Sequence, residues 1–395
     1  MGKKGGSNNG KYSQPPKKIV PFVSVCTPTF NRRPFIQTMF ECFKNQTYPK
    51  SRIEWIIVDD GTDKIQDLVS CSNIPQIKYF SLDMKLSLGA KRNYMHEKAK
   101  GSIIVYFDDD DYYPPERIEH AVERLTQSPK ALCAGSSELY IYFKHIQQMY
   151  QCGPYGPNHA TAGTFAFKRE LLEKTQYESH AALAEEKAFL KDYTIPFVQL
   201  DPMKTILVFS HEQNTFDKRK LLINPHPQFC KPSTKTVGDF IRLTKEAGIE
   251  QYFMRDIDAL LENYAPGSPT MKPDVLEQIK ELDAKRAKME EEARAQHMKQ
   301  QMAANGAGAN PNQGMPQIMV EEPGKPPRAL NPQEIVQAIQ QQQEQIKQLV
   351  QRNQELEQIV LQFQQKMMQP KVKEPEIKEP EIKEVETIQI ELGNP

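Results

Sequence analysis

The sequence predicts an α/β fold with a mainly parallel sheet, and two observations carry that expectation. Between residues 19 and 222, short β-branched apolar runs alternate with stretches of helical period. Three of those runs also end directly in polar residues, as strands do at the ligand-binding edge of an open parallel sheet. Residues 20–26, 53–58, 77–80 and 103–107 read as strands, with helices at 34–45, 88–99 and 114–125. Pro34, and Pro114-Pro115 ahead of Glu116, suit first helical turns, where a missing amide proton costs nothing. Further strands are expected at 139–143, 161–167 and 205–209. Helices are expected at 237–246 and 250–263, with a long charged helix over 271–301.

Texture divides the chain further. Residues 1–18 are rich in Gly, Ser, Asn and Lys and predict a disordered basic tail. The globular domain covers 19–222, a helical extension 223–302, and a Gly/Asn/Pro-rich linker 303–331. Residues 332–369 carry a heptad seam, with Ile339, Ile346, Asn353, Val360 and Met367 at one core position. Ile335, Gln342, Leu349, Leu356 and Phe363 take the other. A β-branched first position with Leu at the second predicts a parallel coiled-coil homodimer, with Asn353 fixing register. The competing reading is a single Gln-rich amphipathic helix. The near-repeat in 370–395 contains prolines that forbid helix, so an extended charged tail is expected.

Composition excludes several functions. Net charge is zero over 395 residues, which argues against a general nucleic-acid binder. The six cysteines show no CxxC spacing, so neither a zinc site nor a dithiol is signalled. No apolar run is long enough to span a membrane and no signal-peptide core opens the chain. A cytoplasmic, non-secreted protein is expected, or a virion protein if the chain is viral. No glycine-rich phosphate loop follows a strand, so phosphates must be met by metal and by Arg or Lys.

The chemistry gathers at three strand ends. The first reads Thr27-Pro28-Thr29-Phe30-Asn31-Arg32, the second Val58-Asp59-Asp60-Gly61 and the fourth Phe107-Asp108-Asp109-Asp110-Asp111. Four successive carboxylates repel one another, and a hard divalent cation, Mg²⁺ or Mn²⁺, relieves that repulsion. In an extended segment Asp108 and Asp110 point the same way and can share a ligand. The bland alternative is an acidic cap on the helix that opens at Pro114.

The run 25–32, Val58-Asp59-Asp60-Gly61, Lys91-Arg92-Asn93 and the aspartate run, in that order, resemble family 2 glycosyltransferases of GT-A fold, a Rossmann-like nucleotide-diphospho-sugar transferase domain. The likeness is nearest to members encoded by large DNA viruses. It implies a nucleotide pocket lined by Thr29, Phe30 and Arg32, with Asp60 accepting from a uracil ring and Asp59 its rival. It implies that Arg92 holds the nucleotide, that Asp108 lies near the ribose and that Asp110 binds the metal. Asp109 takes the family's variable position, and Asp111 supports the shell. Downstream, Glu185-Glu186 resembles the family's acidic pair, which makes Glu186 the general base and Glu185 its competitor. His211, in a His-x-x-Asn-Thr pattern, resembles a late metal ligand.

The activity implied is inverting, metal-dependent transfer from a nucleotide-sugar, in all expectation a UDP-sugar, to a hydroxyl of a glycan, protein or small-molecule acceptor. Two rivals stand beside it. One is a nucleotide-sugar-binding scaffold dimerised by the coiled coil. The other is a nucleotidyltransferase, which would bring a glycine-rich basic loop that this sequence lacks.

Overall fold

The structure is a computed structural model, and it describes residues 20–182, 186–223 and 228–306, with short pieces between 319 and 352. The chain forms two compact units, Met1–Arg294 and Ala295–Pro395. The site lies in the first.

Four consecutive strands build the parallel part of a seven-stranded sheet: β1 (Val23–Thr29), β2 (Ile53–Asp59), β3 (Ile77–Ser81) and β4 (Ile103–Tyr106). Strand β2 is buried along its whole length, so it reads as a continuous apolar run rather than an alternating one. Helices α1 (Arg33–Lys44), α2 (Gln66–Cys71), α3 (Leu88–Lys98) and α4 (Arg117–Gln127) alternate with these strands. The sheet order is β3-β2-β1-β4-β8-β5-β9. Strand β8 (Ala166–Lys168) runs antiparallel to β4 and to β5 (Cys133–Gly135), and β9 (Phe197–Gln199) runs parallel to β5. The fold is therefore α/β with a mainly parallel sheet, as expected.

Register sets the functional edge. Val23 pairs with both Ile53 and Ile103, and six residues on Thr29 pairs with Asp59. The Phe107 amide donates to the Cys26 carbonyl at 3.1 Å, so β4 leaves the sheet beside the end of β1. The ends of β1, β2 and β4 thus share one rim.

Two cores flank the sheet. On one face Trp55 stacks on Phe43 (4.2 Å between ring centres), among Ile36, Phe40, Val105 and Ile118. On the other, Met95 of α3 packs with Ile56, Tyr106, Phe167 and Phe189. A third cluster joins residues 237–261 to Phe35 of α1 and Phe209 of strand β10 (Leu207–Ser210). Strand β10 heads a smaller sheet with β6 (Leu139–Phe143), β7 (Gln148–Cys152) and β11 (Cys230–Pro232).

The structure departs from the sequence reading in two places. Residues 237–246 form two short 3₁₀ turns, Val237–Asp239 and Thr244–Glu246, instead of a helix. The Asp239 carboxylate caps the first turn by accepting from the Thr236 amide (2.7 Å), but Leu243 is extended (φ −94°, ψ 135°) and opens a second turn capped by buried Glu246, so the run breaks there. The stretch 161–167 opens as a 3₁₀ turn, Ala162–Thr164, before β8 begins. There the Thr164 hydroxyl donates to the Thr161 carbonyl (2.6 Å) and accepts from the Ser136 amide (3.0 Å).

Beyond these, α6 (Ala247–Gln251), a π turn (Tyr252–Asp256) and α7 (Ile257–Glu262) follow one another. Helix α8 runs from Pro273 to Gly306, four residues into the expected linker. Among the described residues no helix is long and apolar enough to cross a membrane. Of the heptad positions, Gln342 and Leu349 lie in helical pieces. The others, with residues 1–18, the linker between 307 and 318 and the tail 370–395, lie outside the described residues.

Candidate active site

The shared rim opens into a cavity of about 250 Å³. Strand end β1 supplies Thr29, Phe30 and Arg32, helix α3 supplies Lys91 and Arg92, and the end of β4 supplies Asp108, Asp109, Asp110 and Asp111. Thr215, Lys218 and Lys272 close the far side. The candidates Thr29, Phe30, Arg32, Arg92, Asp108, Asp109 and Asp110 are therefore brought together.

Arg32 is the hub. It is 3% exposed, donates to the Gln213 carbonyl at 2.6 Å, and lies 3.6 Å from Asp109 Oδ1 and 3.4 Å from Asp110 Oδ2. The four aspartates are not equivalent. Burial raises the Asp109 carboxyl to about 7 against the pull of Arg32, with Asp110 adding to the rise. Burial acts on Asp110 as well, yet Arg32 and His211 outweigh it and hold that carboxyl well below the usual range. Burial, then the Asp110 charge, push Asp111 well above the usual range, and among the described residues its Oδ1 has no hydrogen-bond partner. Asp108 faces Gly163, where a Cβ would sit 2.6 Å from Asp108 Oδ2, so only glycine leaves that carboxylate its place. Behind the run, fully buried Arg117 donates to the carbonyls of Thr164 (2.7 Å) and Phe165 (2.9 Å), fixing the turn that carries Gly163.

The two neighbouring acids of β2 divide. Asp59 accepts from the amides of Gly61 (2.9 Å) and Ile65 (3.0 Å) and from the Tyr79 hydroxyl (2.7 Å). It closes the turn after β2 and does not line the cavity. Asp60 accepts from the Leu86 amide (2.7 Å) and pairs with Lys91. It also lies off the cavity wall, but it holds Lys91, which lies on it and donates to the Thr29 carbonyl at 3.1 Å. Lys85 and Lys91 sit 5.4 and 5.8 Å from the centre of the Phe30 ring. Arg92 lies over the rings of Tyr106 (4.7 Å) and Tyr177 (5.2 Å) and donates to the Tyr177 hydroxyl.

Glu186 opens the short helix α5 (Glu186–Phe189), and its Oε1 accepts from the Ala162 amide at 3.1 Å. Since Gly163 touches Asp108, one turn separates the two carboxylates. Glu186 is not on the cavity wall, and Glu185 lies outside the described residues.

His211 is reached from the smaller sheet, just past β10. Its Nε2 lies 3.3 Å from Asp110 Oδ2 and 2.8 Å from Asn214 Nδ2, and burial lowers its pKa to about 4. Among the described residues no three His, Cys, Asp or Glu side chains converge as a closed metal cage. Two donors do converge, Asp110 and His211, beside the unpartnered oxygen of Asp111. That set fits a hard or borderline cation whose remaining positions are filled by substrate oxygens.

Sequence reasoning did not single out Lys85, Lys218 or Lys272. Lys272 is 7% exposed, donates to the Thr215 hydroxyl at 2.9 Å, and is lowered to about 7 by burial and by Arg32. The only cue was its setting between Pro269 and Pro273, which marks a rigid turn.

Residues 24–188 match the model of Glycosyl transferase family 2. An uncharacterized glycosyltransferase of Haemophilus influenzae is 24% identical over 213 residues, 50% of this chain and 79% of that protein. Glycosyltransferase AglE of Haloferax volcanii is 30% identical over 123 residues, 30% of this chain and 40% of that protein. This chain thus spans most of the first relative and less than half of the second. The crystal structure of S. aureus TarS 1-349 in complex with UDP-GlcNAc aligns at 19% identity with a TM-score of 0.37, covering 48% of this chain and 59% of that one. Between residues 24 and 188, then, the chain is similar to glycosyl transferase family 2 domains.

Proposed function

We propose that the chain is an inverting, metal-dependent glycosyltransferase that moves a sugar from a nucleotide-sugar, by preference a UDP-sugar, to an acceptor hydroxyl. One observation carries the reading: the aspartate run of the family domain opens into a cavity that also holds Arg32, Lys85, Lys91, Arg92, Lys218 and Lys272. A mixed wall of this kind suits a diphosphate, with cations on its oxygens and carboxylates for a bridging metal.

Asp110 and His211, with Asp108 beside them, would hold Mn²⁺ or Mg²⁺, which when bound neutralises charge on the leaving diphosphate. Thr29 and Phe30 form the nucleoside wall, and Asp60 acts on the donor by fixing Lys91 there. Arg32, oriented by the Gln213 carbonyl, keeps Asp109 and Asp110 in place. Arg92 is held against two aromatic rings and presents its charge to the nucleotide. Glu186, with Glu185 next to it in sequence, takes the acceptor proton as the oxygen attacks the anomeric carbon. A base within reach of that proton contributes about 10²–10⁴ in rate.

The decisive assay incubates purified protein with Mn²⁺ and a panel of UDP- and GDP-sugars and reads nucleotide release with and without acceptors. Absence of both release and metal-dependent nucleotide binding would defeat the enzyme reading. Glu186→Gln should lower the transfer rate by about 10²-fold or more while donor affinity holds. An unchanged rate would move the base to Glu185.

A further inference from the structure

The family-matched stretch ends at residue 188, yet one wall of the cavity comes from residues 264–278. That segment is tied down on both sides. The Tyr264 hydroxyl donates to Asp63 (2.7 Å), and the Asn31 side chain donates to the Pro266 carbonyl (2.9 Å). Lys85 pairs with Asp274 at 2.5 Å, while the Gln278 amide spans the His180 carbonyl (2.7 Å) and the Ala182 amide (2.9 Å). The strap therefore crosses from the ends of β1 and β2 to the chain ahead of α5, and it turns Lys272 inward.

Resting on the function proposed above, we infer that Lys272 is a donor-binding residue and that it contacts the diphosphate of the nucleotide-sugar. The argument is one of unmatched charge. Arg32 is matched by Asp109 and Asp110, Lys91 by Asp60 and Lys85 by Asp274. Lys272 is as buried as these, yet among the described residues its hydrogen bond goes to a neutral hydroxyl, that of Thr215. A buried ammonium needs an anion beside it or it gives up its proton, and the neighbouring carboxylates are held by Arg32. The ammonium faces the same cavity as the aspartates, so a phosphate oxygen bound there would complete its shell and would lie between Lys272 and any cation at Asp110. The strap lies outside the stretch matched to the family.

The test is calorimetric titration of the full chain, in Mn²⁺, with UDP, with inorganic pyrophosphate and with uridine. Lys272→Met should weaken UDP and pyrophosphate by about tenfold or more, the loss of one charge-assisted hydrogen bond, and leave uridine unchanged. Lys272→Arg should restore most of the loss. Wild-type UDP binding with an unaltered Lys272→Met variant would overturn this inference alone. So would an equal loss of UDP and uridine, which is the mark of a structural role. A wild-type chain that binds no UDP at all would overturn both this inference and the function on which it rests.

Discussion

The two sides of the cavity are built differently. On one side Thr29, Arg32 and Asp108 to Asp111 stand at strand ends, placed by a ladder in which Val23 meets Ile53 and Ile103. On the other, Thr215, Lys218 and Lys272 stand on turns held by scattered side-chain contacts such as Gln213 to the Tyr264 carbonyl (2.8 Å). The sheet side carries the acids proposed to position a cation, and the turn side adds positive charge. Register cannot shift by a fraction of a residue, whereas turns can. The sheet side should therefore govern chemistry and fold together, and the turn side should govern affinity with little cost to the fold.

Five altered chains break or sharpen that contrast. Asp110→Ala should cut sugar transfer by about 10³-fold or more, since it removes a metal ligand and the partner of Arg32. Full turnover in the nucleotide-release assay would sink the metal assignment. Lys91→Met leaves the Asp60 carboxylate buried beside the Leu86 amide alone. It should cost about 3–5 kcal/mol in urea denaturation, whereas Lys272→Met on the turn side should leave the urea midpoint nearly unmoved. Equal midpoint shifts would erase the contrast. Gly163→Ala places a methyl where Asp108 Oδ2 now sits. It should lower kcat by about tenfold to hundredfold through misplacement of the site, and wild-type kcat would show that Asp108 has room to move. The smallest expected effect concerns oligomeric state. By light scattering, a chain cut after residue 325 should have a lower oligomeric state than the full chain if 332–369 pairs as a coiled coil, and an unchanged state would remove that claim.

Legibility in the sequence follows the same divide. Strands β1, β2 and β4 are buried parallel strands, and their apolar runs announce them, while β3 is a half-buried edge strand; the residues at the ends of β1, β2 and β4 then fall onto one rim without further information. Strands β5 and β9, three residues each, are too short to show a period. The helix expected at 237–246 is broken because Leu243 turns extended and a second capped turn begins at Thr244. Adjacent acids were the hardest case. Nothing in Asp59-Asp60-Gly61 tells which carboxylate turns toward the Gly61 and Ile65 amides, since the choice depends on Tyr79 and Lys91 arriving from other elements. Lys272 was invisible for the same reason, because its burial is created by a strap anchored at five other places.

Arg117 bears on the order in which the molecule comes into being. Four adjacent carboxylates at a strand end would ordinarily make a nascent chain wait for a cation before it could close around them. Here one guanidinium lies in front of the run, at Arg32, and a second is buried behind it, at Arg117, where the field of Asp108 reaches it. Part of the negative charge is thus countered by the chain's own residues, at Asp109 and Asp110 above all. The chain is therefore expected to fold in the presence of a chelator, with the proposed metal needed for turnover.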